Sequence, residues 1–291
     1  MRKTTALLFL CLVFAAGAAH ANHYADTYVI PIVGHTVGAN GTTWMSDVAI
    51  RNFRTTPLDV QLIVIESGFN TSDNVYPLTT GTNAGVITIG ANSTVMLKDV
   101  LAGHRGLQNV TGALILGASA PFAVTSRTYS NNMAVGQTVN PERDFLDNSL
   151  ENADNTSTAY VPGIISNTAA RTNVGFTAGA GPGAPMTVEV TIRNASGGSL
   201  GIRSITVPAG NFMQIQFPVG SLTNTTFDNG SADFRIVSGE GVVVPYASIV
   251  DNASGNAAYV TGVFPETTSA AAASLFNRSY IFRNLFDRTY R

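Results

Sequence analysis

Histidine is scarce in this chain, and that makes it the place to look first for chemistry. There are four: His20, His23, His35 and His104. A histidine exposed as the first residue can hold copper through its ring and the free amine. Cleavage after Ala19 would create such a terminus at His20, with His35 or His104 as the second ligand. Serine chemistry needs a nucleophile, a base and an orienting acid, but no Gly-x-Ser-x-Gly elbow occurs. Paired-carboxylate hydrolysis is equally hard to assemble. Glu66 and Asp99 have no counterparts at matching places later in the chain, where Glu189 and Glu240 are spaced differently. Asp228, Asn229, Ser231 and Asp233 crowd one short stretch, and closely spaced oxygen ligands can hold calcium. Their spacing departs from the Asp-x-Asp-x-Asp-Gly loop, so a hairpin turn is the expectation, with Asp228 and Asp233 as the alternative metal ligands.

Binding has its own candidates. Trp44 is the only tryptophan, and Arg127 and Tyr129 alternate on an expected late strand. An exposed tryptophan stacks on a sugar ring, whereas one packed between sheets serves the core. Asp47 and Asn173 each stand just before a strand, where a short polar side chain pins a turn by bonding neighbouring backbone. A structural role is expected for both. Asn-x-Ser/Thr acceptors are numerous, but Asn, Ser and Thr are so abundant that chance supplies many of them.

The amino terminus addresses the compartment. Arg2 and Lys3 precede an apolar run from Ala6 to Ala16, and Ala19-His20-Ala21 follows. That order is the pattern of a secretory signal peptide, residues 1–21, cleaved after Ala21. The run is too short to span a bilayer. Cys11, the only cysteine, lies inside it, so the mature chain is expected to have no disulfide, no thiolate catalysis and no cysteine-bound metal. Removing Arg2 and Lys3 from the 16 basic residues leaves 14 against 18 acidic ones, a net charge of −4. Lys98 is then the only lysine. An acidic, lysine-poor surface argues against nucleic acid and against an anionic membrane.

What must position any site is a chain written twice. Tyr28-Val29-Ile30-Pro31 returns as Tyr160-Val161-Pro162, and Ser46–Ile50 as Thr172–Phe176. Val60–Val64 returns as Val188–Ile192, and Ile87–Asn92 as Ile205–Gly210. Gly112–Leu116 returns near Ser231–Ile236, and Ala123–Asn132 as Val243–Asn252. The order is kept while the offset drifts only between 118 and about 132 residues. Leu58, Val60, Leu62 and Val64 alternate with Asp59, Gln61 and Ile63, the two-residue period of a strand with one apolar face. Turn formers separate such runs, among them Asn40-Gly41, Asn194–Gly198, Asp228-Asn229-Gly230 and Asn252–Gly255. Short strands and turns over about 110 residues read as a β-sandwich. The expectation is therefore all-β, with sandwich domains at 22–139 and 159–266. An acidic linker at 140–158 would join them and make a helical turn or two around Phe145 and Leu150. A C-terminal tail at 267–291, apolar and arginine-bearing, would form a helix or dock on something.

The runs Tyr28–Pro31, Gly38–Thr42 with Trp44, Ser46–Val48, Ser126–Tyr129 and Tyr246–Asn252 resemble tandem immunoglobulin-like repeats of exported bacterial proteins. The resemblance covers Tyr28 to Pro265. It implies two tandem immunoglobulin-like β-sandwich domains in a secreted, periplasmic or cell-surface setting, and no reaction. The second repeat lacks the tryptophan. The functional expectation is a non-enzymatic structural or adhesion-type protein without cofactors. Its partner would be a protein or glycan at the cell surface, with self-association open. A pair of carbohydrate-binding modules centred on Trp44, Arg127 and Tyr129 is the alternative. A copper-dependent polysaccharide oxygenase is the more distant one.

Overall fold

The computed structural model describes residues 25–38, 41–68, 75–79, 84–131, 135–142, 146–148 and 158–264. The expected signal peptide and the C-terminal tail lie outside them, as do Phe145 and Leu150. Strands dominate, and the molecule is an all-β sandwich structure built from several antiparallel sheets. The first half contains β1 (Ala25–Val37), β2 (Thr43–Arg51), β3 (Leu58–Glu66), β4 (Val75–Pro77), β5 (Val86–Ile89) and β6 (Thr94–Leu97). A short helix α1 (Val100–Arg105), β7 (Val110–Ser130) and β8 (Gly136–Val139) follow, then β9 (Leu146–Asn148). The second half contains β10 (Thr158–Ser166), β11 (Ala170–Ala180), β12 (Met186–Asn194), β13 (Ser199–Val207) and β14 (Phe212–Pro218). It ends with β15 (Phe227–Ser238), β16 (Gly241–Asp251) and β17 (Ala257–Thr261). Among the described residues no helix is long and apolar enough to cross a membrane.

The sequence repeat is also a repeat of pairing. Val60, Leu62 and Val64 of β3 stand opposite Ala118, Leu116 and Leu114 of β7. Val188, Val190 and Ile192 of β12 stand opposite Ile236, Phe234 and Ala232 of β15 in the same register. β2 lies between β6 and the far part of β7, and β11 lies between β14 and β16. Gly112 faces Glu66 and Gly230 faces Asn194 at corresponding places. A Cβ at either glycine would press into the partner strand, on the Ile65 carbonyl in one case and the Arg193 carbonyl in the other. Close backbone approach thus explains Gly230, and it overturns the expected hairpin: Asp228, Asn229 and Gly230 run within β15. The expected turn at 194–198 is present, closed by the Asn194 N–H on the Gly198 carbonyl at 3.0 Å with Gly197 at φ 85°.

Each half buries an apolar core of its own. In the second, Val174, Phe176, Met213 and Phe217 meet Val188, Val190, Ile192 and Phe234 across the sandwich. In the first, Ile30, Val48, Leu62, Leu116 and Phe122 are packed together. A third apolar layer joins the halves: Val29, Ile63, Ile65, Ala113 and Ile115 meet Phe212, Val242 and Val244. A side chain of this size contributes about 1.5–3 kcal/mol when fully buried rather than exposed. The sheet β14-β11-β16-β17 is therefore covered on both faces along β11 and β16. That is why Val242-Val243-Val244 is continuously apolar where a sheet with one wet face would alternate.

The stretch expected to link the halves is pinned to both. Glu142 exchanges backbone hydrogen bonds with Val29 at 2.9 and 2.7 Å, and β9 pairs with the start of β16. Residues 146–148 are extended, which corrects the expected helical turns around Phe145 and Leu150 over that piece. Leu146 pairs with Val243 and joins the sheet by backbone bonds that a helical turn would spend internally.

Candidate functional site

Polar and aromatic side chains converge at one end of the first half, where β1, β2, β7 and the start of α1 meet. β2 and β7 pair without a shift, setting Met45 opposite Tyr129 and Asp47 opposite Arg127. One oxygen of Asp47 accepts the Tyr129 hydroxyl at 3.0 Å and the Asp99 backbone N–H at 2.8 Å. Asp99 adopts a left-handed conformation, φ 45°, at the N-cap of α1, and its side chain does not cap the helix. Its carboxylate turns instead to His35, whose Nδ1 lies 2.9 Å from both oxygens. Arg127 places its guanidinium 5.6 Å from the centre of the Tyr129 ring, a cation–π distance.

The electrostatics follow from this packing. Burial, the hydrogen bond to Asp47 and the negative charges of Asp47 and Asp99 push the Tyr129 phenol up to about 12, with Arg127 opposing. A phenol held that high is a fixed hydrogen-bond donor at neutral pH and cannot serve as a base. The chain His35–Asp99–Asp47–Tyr129 thus ties β1, α1, β2 and β7 together. Geometrically Asp47 does what a turn-pinning residue does, but with partners 52 and 82 residues away.

Trp44 does not join this group. It stands opposite Ser130 one residue along β2, so its side chain leaves the sheet on the face opposite Asp47, Arg127 and Tyr129. Its indole covers Gly38, where an added Cβ would collide with the ring. In the second half the corresponding places hold Ala170 for Trp44, Asn173 for Asp47, Ser248 for Arg127 and Val250 for Tyr129. Asn173 stands between Pro218 and Ser248 in its sheet.

The expected calcium ligands are separated. Asp228 accepts from the Asn167 side chain at 2.7 Å. Asp233 is paired with Arg193 and accepts the Ser231 hydroxyl at 3.2 Å. Five residues of extended strand, about 16 Å, separate the two acids. This corrects their expected placement in one loop. Among the described residues no three His, Cys, Asp or Glu side chains gather in a way that could hold a metal ion. Of the copper candidates, His20 and His23 lie outside the described residues, His35 is engaged with Asp99, and His104 is half-buried on α1.

Two further groups escaped the sequence reading. Burial and its bond to Glu66 at 2.9 Å push the Tyr76 phenol above its ordinary range, with Arg105 stacked 5.0 Å from its ring. Between the halves, Gln214 is fully buried. It accepts the Ser67 hydroxyl and donates to the Tyr246 hydroxyl at 2.7 Å. Thr111 donates to Ser67 at 2.8 Å, extending the network into β7. The Tyr246 ring fits because residue 175 is glycine; a Cβ there would lie 2.7 Å from the ring. The available signal was weak: Gln214 alternates with Gln216 on β14, and only the structure shows that the first is buried and the second exposed.

No family model matches the chain, and no curated protein matches it. Among solved structures, a calcium-binding mutant of Bacteroides uniformis β-glucuronidase 2 is similar at 9% identity over 84% of this chain, with a TM-score of 0.20. The same enzyme bound covalently to cyclophellitol-6-carboxylate aziridine aligns at 10% identity over 77% of the chain, also with a TM-score of 0.20. The chain spans 28% and 26% of the lengths of those two proteins. Likeness at that level carries no argument about activity.

Proposed function

We propose that this chain is an exported structural or interaction protein of the cell surface or extracellular matrix, acting through contact and not through turnover. The observation that carries this reading is a duplicated frame without a duplicated polar site. Register and pairing repeat, while Asp47, Arg127 and Tyr129 give way to Asn173, Ser248 and Val250. Selection on a shared reaction would keep the reactive groups, whereas selection on a scaffold keeps the frame. The apolar layer and the Ser67–Gln214–Tyr246 network make a stiff body of the two halves. Such a body presents its loops and strand edges at fixed spacing, and these are the parts by which sandwiches recognise partners.

The test uses purified chain lacking residues 1–21, offered to isolated cell envelopes and matrix polymers and assayed in parallel for hydrolytic and oxidative turnover. Saturable binding without turnover is expected, and catalytic product from any substrate overturns the reading. The carbohydrate-binding alternative loses a shared platform when Trp44 and Tyr129 face opposite sides of the sheet. It is tested by pull-down on cellulose, chitin and peptidoglycan with Trp44→Ala beside the parent.

A further inference from the structure

Charge is sorted by depth on the outward face of β6, β2, the far part of β7 and β8. Its carboxylates turn to internal partners: Asp47 holds Tyr129 and the Asp99 N–H, and Asp99 holds His35. Its cations reach the surface. Arg127 is exposed opposite Asp47 on β7, and Lys98 is exposed directly after β6. Arg51 is partly exposed, four residues or about 13 Å along β2 from Asp47. Between the cations lies a low row, Met96, Ala49 and Thr125, in register across β6, β2 and β7. A ring backs each arginine, with Arg127 5.6 Å from the Tyr129 centroid and Arg51 5.9 Å from that of Phe53. The corresponding places in the second half are uncharged: Thr177 for Arg51, Pro218 for Lys98 and Ser248 for Arg127. There Thr177 is fully buried and donates to the Pro31 carbonyl at 3.3 Å. Elsewhere on the second half two surface arginines are matched by carboxylates, Arg193 by Asp233 and Arg235 by Glu189.

We infer that this platform binds an acidic polysaccharide, a polymer with carboxylates on alternate sugars. The inference rests on the contact reading of the chain and names the ligand class. Guanidinium groups take carboxylates through paired N–H donors, and the rings behind Arg127 and Arg51 hold those donors in place. Lys98 adds a point charge beside Asp47. Thr94, Thr125 and Thr138 are exposed on the same face and offer hydroxyls to sugar hydroxyls. The low middle row lets an extended polymer lie flat from Arg51 to Arg127. Spacing disfavours nucleic acid, because a duplex presents a charge roughly every 1.7 Å and cations this far apart neutralise few of them. The rings that could stack a base or a neutral sugar already carry a guanidinium.

The experiment measures affinity of the chain lacking residues 1–21 for hyaluronate and for the same polymer with its carboxylates methyl-esterified. Saturable binding to hyaluronate that weakens with salt is expected, with none to the ester. Lys98→Gln/Arg127→Gln is expected to weaken it about tenfold, while Arg235→Gln in the second half keeps the parent affinity. If circular dichroism shows that the double variant is unfolded, Lys98→Gln alone takes its place, with a loss of about threefold. Absence of binding to hyaluronate, equal affinity for the ester, or equal affinity of the Lys98 and Arg127 variants overturns the inference. Tighter binding to double-stranded DNA or to phosphatidylglycerol vesicles in the same buffer overturns it as well. Envelope binding that persists after such a failure removes the ligand class and leaves the contact reading standing.

Discussion

Two positions in this molecule are the same place by pairing and opposite by chemistry. Ile115 of β7 lies between Val29 and Ile63, and Asp233 of β15 lies between Tyr160 and Thr191. Next to them, Ile65 corresponds to Arg193 and Ala113 to Ser231. The inward positions on the same strands, Leu62 and Leu116 against Val190 and Phe234, are apolar in both halves. The frame therefore depends on the inward face alone. The outward face is free to differ: in one half it lies against a second sheet, and in the other it carries the Asp233–Arg193 and Glu189–Arg235 ion pairs.

Substitutions that exchange the two characters test this directly. Ile115→Asp places an unpaired carboxylate in the layer between the halves and is expected to cost about 4 kcal/mol. For a chain of this size that lowers Tm by about 8–16 °C in calorimetry; a fall of under 2 °C would mean that the layer is not closed. Gly175→Ala is next, at about 2–3 kcal/mol, because its Cβ would meet the Ile215 carbonyl at 2.6 Å and the Tyr246 ring. The first half carries alanine, Ala49, at the matching place. Gln214→Leu removes the bonds to Ser67 and Tyr246 and should cost about 1–3 kcal/mol in denaturant unfolding. A separation into two transitions would sharpen the view that this network couples the halves. Asp233→Ile, the mirror of the first change, should shift stability by no more than about 1 kcal/mol, since the Arg193 left behind is partly exposed and can turn to solvent.

Alkaline pH gives a fifth test. Tyr76, Tyr129, Tyr246 and Tyr259 are all held above the ordinary phenol range by burial first. A raised folded-state value means that the stabilisation is fully present below the unfolded value near 10 and is lost as pH rises through the folded one. For Tyr129 the loss runs from about 10 to about 12. Tyr129→Phe should flatten part of that decline in unfolding experiments; an unchanged slope would mean that its phenol is not held by Asp47.

Much of the fold was legible because strand alternation and the repeat are local properties. Val60–Val64 and Val188–Ile192 announced their strands and pair in the same register, whereas the matches of Tyr28–Pro31 and of the run from Ala123 stand one residue away from the positions that pair alike. The layer between the halves was less visible. Ile63 read as one member of a mixed face with Asp59 and Gln61, and only its burial under Phe212 and Val244 explains why it and Ile65 are isoleucines. Gly230 read as a turn because glycine permits both a turn and a close approach, and the sequence does not distinguish them. At the polar end, the positional equivalence of Asp47 and Asn173 was readable, but the partners of Asp47 were not, since pairing alone brings Tyr129 and Asp99 to it.

One difference between the halves remains, in β7. Its 21 residues form one strand that pairs with β1 and β3 near its start and with β2 and β8 near its end. In the second half the same path is cut between β15 and β16, with Gly239 at φ 76° in the gap. β1 and β3 pair with residues 110–122 of this strand and β2 with residues 123–130, so one continuous strand belongs to both layers of the first half. A single backbone thus ties the two layers of the first half together, where the second half joins its layers through a turn that can bend without breaking any strand pairing.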